Sequence, residues 1–161
     1  SVIIYVYGKA VAGCVEHMGK YVHFDREGFV VESSAEPLLG VPLIEGLEFQ
    51  SLTEGKKLEM GDSDLFNRLM NLLLLIEKNG FTAERIAFGL RNDITVYLEG
   101  NEIMLGNEGE IDFRINNLKS VLDSLTAEYP SARFRVDMRR YNEDNTEVTA
   151  RRIEADGVDE K

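Results

Sequence analysis

EIDFRINNLKSVLDSLTAEYPSARFRVDMRRY, residues 110–141, contains the change of hydrophobic period that decides the class of fold. Ile111, Ile115, Leu118, Val121, Leu122 and Leu125 recur at helical spacing, while Arg114, Asn117, Lys119 and Ser120 are placed off that stripe. The spacing predicts an amphipathic helix over residues 110–128, ended by Pro130, which has no amide to donate and clashes with the preceding turn. Just beyond it the period falls to two. Phe134, Val136 and Met138 alternate with Arg133, Arg135, Asp137 and Arg139, so residues 133–139 read as a strand with one face on a core and the other in water.

Upstream lies an earlier helix. Asp62 or Ser63 can cap it with a side-chain oxygen; Leu65, Leu69, Leu72, Leu73 and Ile76 form its stripe; and Asn79-Gly80 supplies a left-handed stop. Phe66, Met70, Leu74 and Leu75 widen the apolar face, so this helix is expected to be largely buried. It leads to Ile86-Ala87-Phe88 and to the alternating run Ile94-Thr95-Val96-Tyr97-Leu98, which turns at Gly100-Asn101 into Ile103-Met104-Leu105. Before it, β-rich runs over residues 2–7 and 10–15 are broken at Gly8 and Gly19. A hairpin follows, with Tyr21-Val22-His23-Phe24 and Phe29-Val30-Val31 flanking Asp25-Arg26-Glu27-Gly28. Residues 37–46 are extended, because Pro42 pushes Val41 out of the helical region. This order of elements gives an α+β domain with an antiparallel or mixed β-sheet and two helices packed on it. Residues 142–161 are polar, without a sustained period, and are expected to be a flexible tail.

A chain of 161 residues that is 43% hydrophobic carries its own core. Its net charge of -11 repels phosphate backbones and removes nucleic acid as a partner class. The lone Cys14 excludes an intrachain disulfide and a cysteine-based zinc cluster, and an alternating apolar setting suits a buried structural thiol. His17 and His23 lack the i, i+4 spacing that presents two imidazoles to one metal and are expected at the surface or partly buried. Acid pairs such as Glu108/Glu110 and Glu143/Asp144 sit in hydrophilic stretches that do not separate their pKa values. Gly106-Asn107-Glu108-Gly109 precedes a helix, but its acid opposes phosphate. No catalytic, cofactor or metal residues are therefore expected. No apolar run reaches the ~18 residues that cross a bilayer. The opening Ser1, directly on a strand-like run, reads as an excised segment. What remains is the strand over residues 133–139, whose charged outer row either blunts an edge or offers it to a partner strand.

The order of segments resembles the extracytoplasmic β domain of bacterial cell-division proteins of the FtsQ/DivIB family. Val2-Ile3-Ile4-Tyr5-Val6 followed by Ala10-Val11-Ala12 is similar to the family's passage from a POTRA domain into the β domain, with Ala10 where the family usually has proline. Gly19 and the hairpin after it, Pro42-Leu43-Ile44-Glu45-Gly46-Leu47, and Arg135-Val136-Asp137-Met138-Arg139-Arg140-Tyr141 resemble successive family elements, Arg140 being an added residue. The resemblance implies that residues 1–9 end a POTRA-like domain or connecting strand, that residues 10–141 form the β domain, and that the full-length protein is anchored by one membrane pass. It further implies a noncatalytic division scaffold without cofactors, whose partners are FtsL- and FtsB/DivIC-type proteins. The contact residues would be Arg135, Val136, Asp137, Met138, Arg139 and Tyr141. The alternative is a small intracellular α+β enzyme or ligand-binding domain with a pocket beneath residues 37–46.

Overall fold

A computed structural model describes residues 3–6 and 8–153 of the chain. The expected opening strand is represented by β1 (Tyr5–Val6), Val2 and Tyr7 lying outside the described residues. The elements that follow are β2 (Lys9–His17), β3 (Lys20–Asp25), β4 (Val30–Ser34), β5 (Leu43–Glu45), α1 (Ser63–Lys78), β6 (Ala83–Phe88), β7 (Ile94–Leu98), β8 (Asn101–Gly106), α2 (Ile111–Glu128), β9 (Arg133–Asp137) and β10 (Thr149–Ile153). They form one mixed sheet in the order β10-β9-β8-β7-β6-β5-β2-β3-β4, with β1 added to β2. The hairpins β2–β3, β3–β4, β6–β7 and β7–β8 are antiparallel, whereas β5 runs parallel to β2 and β6, and β8 parallel to β9. Each of the parallel pairs β5–β6 and β8–β9 is joined through a helix, because a tight turn cannot reverse a chain twice.

Local chemistry sets these elements where the sequence places them. Asp62 caps α1, its Oδ1 accepting from the amides of Asp64 at 2.9 Å and Leu65 at 3.1 Å. The β3–β4 turn is closed by Asp25, whose Oδ1 accepts from the amides of Glu27 and Phe29. Both helices lie on one face of the sheet. Leu69, Leu72, Leu73 and Ile76 of α1 and Ile115 and Leu118 of α2 join Val15, Val22, Ile44, Ile86, Val96, Ile103 and Val136 in a single core. Asn71 to Asp112 and Asn79 to Asn116 hydrogen bonds tie the helices to each other. Leu74, expected on the apolar face, is half-exposed, since the sheet and α2 cover only part of the α1 circumference.

Among the described residues, the other face is covered only at one end. There, residues 35–42 cross β2 and β3 as a strap, and Leu38 and Val41 pack with Ile4 and Val6 over Val11, Cys14, Tyr21 and Leu43. The Cys14 amide donates to Pro42 O at 2.9 Å and the Val11 amide to Ile4 O at 2.7 Å, so the strap and β1 are fastened to the same strand. Cys14 is buried, as its setting predicts, and burial pushes its thiol up to about 11. His23 departs from expectation, being wholly buried beside it.

Residues 142–153 are folded, contrary to the flexible tail expected from residue 142 onward; residues 154–161 of that tail lie outside the described residues. Asn142 Oδ1 accepts from the amides of Asp144 at 2.8 Å and Asn145 at 2.9 Å, reversing the chain. β10 then pairs antiparallel with β9 along its whole length, Thr149 opposite Asp137 and Ile153 opposite Arg133. Its polar composition hid the strand: Val148, just before β10, and Ala150 pack against the core, and Arg152 lies 5.3 Å over the Tyr129 ring.

At Gly46 (φ 84°), just past β5, the backbone passes so close to β6 that a Cβ would collide with the Phe88 carbonyl oxygen. Gly46→Ala therefore combines left-handed strain with a clash against backbone, and is expected to destabilise by at least about 3 kcal/mol in denaturant unfolding. Gly55→Ala, at similar φ but facing open space, is expected to cost only about 1 kcal/mol.

Candidate protein-binding edge

The six residues singled out by resemblance fall into two groups. Val136 and Met138 are buried in the main core, and Tyr141 is buried against Phe113, with ring centroids 5.6 Å apart. Arg135, Asp137 and Arg139 lie on the face away from the helices or just past its margin. Arg135 Nε donates to Glu102 Oε2 at 2.9 Å, and Asp137 accepts from the Arg139 amide at 3.0 Å and from its guanidinium at 3.0 and 2.8 Å. Hydrogen bonding from Arg139 holds the Asp137 carboxyl below its ordinary value, and the same bond raises the guanidinium.

None of the six lies on a free strand edge. β9 is sandwiched between β8 and β10, and the Met138 amide extends the ladder to Met104 O at 2.9 Å. The added Arg140 does not swing Tyr141 to the opposite face of a strand, because β9 has already ended and residues 138–141 form a turn, the Tyr141 amide donating to Met138 O at 3.0 Å. The outermost strand on this side, among the described residues, is β10.

What holds that edge in place is Arg114. By sequence it was placed off the helical stripe; in the structure it is only 3% exposed. Its Nη1 donates to Leu105 O at 2.7 Å and Glu108 O at 2.7 Å, and its Nε to Tyr141 O at 2.8 Å. Those carbonyls belong to the end of β8, the loop into α2, and the turn into β10. Room for the guanidinium comes from Gly109, where a Cβ would lie 2.8 Å from Nη2. Burial lowers the Arg114 pKa and Glu110 opposes this; three carbonyl dipoles stand where a carboxylate would be expected. The available signal was spacing, since Arg114 stands three residues after Ile111 and four before Leu118.

The edge is basic in an acidic chain. Six of the eleven arginines, Arg133, Arg135, Arg139, Arg140, Arg151 and Arg152, belong to residues 133–152. Arg140 and Arg151 are exposed, and Arg151 pairs across the ladder with Arg135. Elsewhere, a cavity of about 270 Å³ opens where β5 stops short, between β2, β6 and α1. Pro42, Met70, Leu73, Ile76 and Phe81 line it, with the Arg26–Glu77 ion pair among its walls. Of residues 37–46 it touches Gly40 and Pro42 alone, and it is walled chiefly by apolar side chains of α1 and its neighbours.

Arg114→Met keeps an unbranched apolar stem but is shorter by the guanidinium and removes its donors, stranding three carbonyls. At about 1–3 kcal/mol for each unsatisfied buried group, a loss of at least about 3 kcal/mol is expected in chemical unfolding. Amide exchange is expected to speed up first at residues 141–150. Exchange that stays slow there would remove Arg114 from this role.

No curated protein matches the chain. A family model, Cell division protein FtsQ/DivIB, C-terminal, matches residues 14–139, from β2 through the end of β9, and leaves β10 outside the match. With most of the mixed sheet and both helices inside that span, the chain belongs to the FtsQ/DivIB family of cell-division proteins, of which it contains the C-terminal domain.

Proposed function

We propose that this domain is a noncatalytic, extracytoplasmic scaffold of the bacterial division complex that captures a partner by strand addition at the outer edge of β10. The observation that carries this reading is the pairing of β10 with β9 on one side and with no described strand on the other. A strand so placed presents a row of backbone donors and acceptors that an extended peptide satisfies, and backbone bonding supplies affinity while alternate side chains supply selectivity.

The six residues first expected at the contact support the edge from behind it. Val136, Met138 and Tyr141 fix β9 and the turn after it from the core side, and Arg135, Asp137 and Arg139 order the other face. The exposed Arg151 and Arg140 favour an incoming strand with acidic side chains, and charge of this kind speeds encounter and sets register more than it raises affinity. Family membership points to FtsL- and FtsB/DivIC-type proteins as the source of that strand, and to a single membrane anchor in the full-length protein. The apolar cavity beside α1 favours no catalytic reading, because acid–base chemistry needs titratable groups with separated pKa values and its one ion pair is bonded within itself.

The test uses a synthetic peptide covering the extracytoplasmic segment of the FtsB/DivIC-type protein encoded in the same genome. Arg140→Glu with Arg151→Glu is expected to weaken its binding at least about ten-fold at low salt, with a smaller difference at 0.5 M salt. Ending the chain after Asn145 removes β10 and bares β9; binding is expected to vanish. Undiminished or tighter binding by the shortened chain would move the docking strand to β9.

A further inference from the structure

His23 is wholly buried on β3, and its Nδ1 is the one buried side-chain polar atom among the described residues without a hydrogen-bond partner. Its Nε2 lies 2.7 Å from Ser34 Oγ, and that hydroxyl donates to Glu36 O at 2.6 Å. The serine proton is thus committed to the Glu36 carbonyl, so Ser34 can only accept from the ring. Nε2 carries the ring proton, and Nδ1 is a bare, desolvated lone pair. The relay runs from β3 through the end of β4 into Glu36, where the strap of residues 35–42 begins.

We infer that His23 is a proton-sensitive latch, its neutral ring holding the strap and β1 closed over β2 and β3, and a second ring proton releasing them. Protonating Nδ1 in place would bury an N–H with no acceptor. Opening the strap, which is held by a small satellite core of Leu38, Val41, Ile4 and Val6, lets water reach the imidazolium while the main core on the opposite face is untouched.

Buried Asp25 lies two residues along β3 from His23, its Oδ1 accepting from the amides of Glu27 and Phe29. Across the ladder stand Cys14 on β2 and Glu32 on β4. Tyr21 lies two residues along β3, Glu16 opposite Tyr21, and Glu36 on the strap. Burial depresses the His23 pKa below its ordinary 6.5, and Glu32 offsets this only in part. The sign follows: the closed form binds the proton less tightly than the open form, so closure is complete above 6.5 and weakens as pH falls below it. One proton changes the open population by at most about ten-fold per pH unit.

Cys14 is a built-in reporter, being the chain's single cysteine and lying under the strap. Its reaction with a pyridyl disulfide, normalised at each pH to glutathione, is expected to accelerate roughly ten-fold between pH 7.5 and 5.5. In His23→Leu the normalised rate is expected to be independent of pH. Amide exchange of the wild-type protein provides a second reading that needs no variant, with faster exchange at residues 38–43 and unchanged exchange in β6, β7 and β8. A Cys14 rate flat with pH in the wild type, the same acceleration in His23→Leu, or exchange rising uniformly through all strands would each overturn the latch.

Discussion

The Arg114 guanidinium, buried among three carbonyls and, among the described residues, in no ion pair, is the contact on which the C-terminal third of the sheet depends. A charge removed from water is tolerated only if polar groups surround it, and here the carbonyls of Leu105, Glu108 and Tyr141 do so. Because they come from three segments, meeting the needs of one side chain also fixes where β8 stops, how the chain enters α2 and where it turns after β9. β10 can lie beside β9 only from that turn. The chain thus secures its outer edge through a point on the helix face, about which the edge strand's own sequence says nothing.

The rest of the sheet is governed by an asymmetry between its faces. One carries α1, α2 and a continuous core; the other carries the strap over β2 and β3 and is otherwise open. On the open part, side chains pair across strands. The Arg85 guanidinium lies 4.0 Å over the Tyr97 ring and pairs with Glu45, and Arg135 pairs with Glu102. Half-exposed pairs of this kind contribute little to stability one by one. Their effect is to keep a broad face wetted.

Much of this was legible in the sequence because it rests on hydrophobic period. Both helices, the α1 cap at Asp62, the hairpin through Gly100 and the inward row Phe134, Val136 and Met138 stand where spacing puts them. The parts that were hidden are those where polar atoms replace period. β10 reads as a tail because Val148, just before it, and Ala150 are what it gives the core, with Arg152 on the same side over the Tyr129 ring, and its placement comes from Asn142 and from Arg114 acting on Tyr141. His23 alternates correctly with Val22 and Phe24, and only the strap on the opposite face makes it buried. The family match ends at Arg139, so the strand that covers β9 lies outside the part most readily recognised.

These features make the domain a platform: a core on one face, an open second face, and an edge held rigid from behind. Its central claim concerns the backbone of residues 149–153. The direct measurement is residue-resolved amide exchange of the domain alone and saturated with the extended segment of the FtsB/DivIC-type protein proposed as its partner. The account predicts that exchange slows strongly at alternate amides of β10, those pointing away from β9, with little change in β2 to β4. Protection confined to another surface, with the outward amides of β10 exchanging as they do in the free domain, would contradict it.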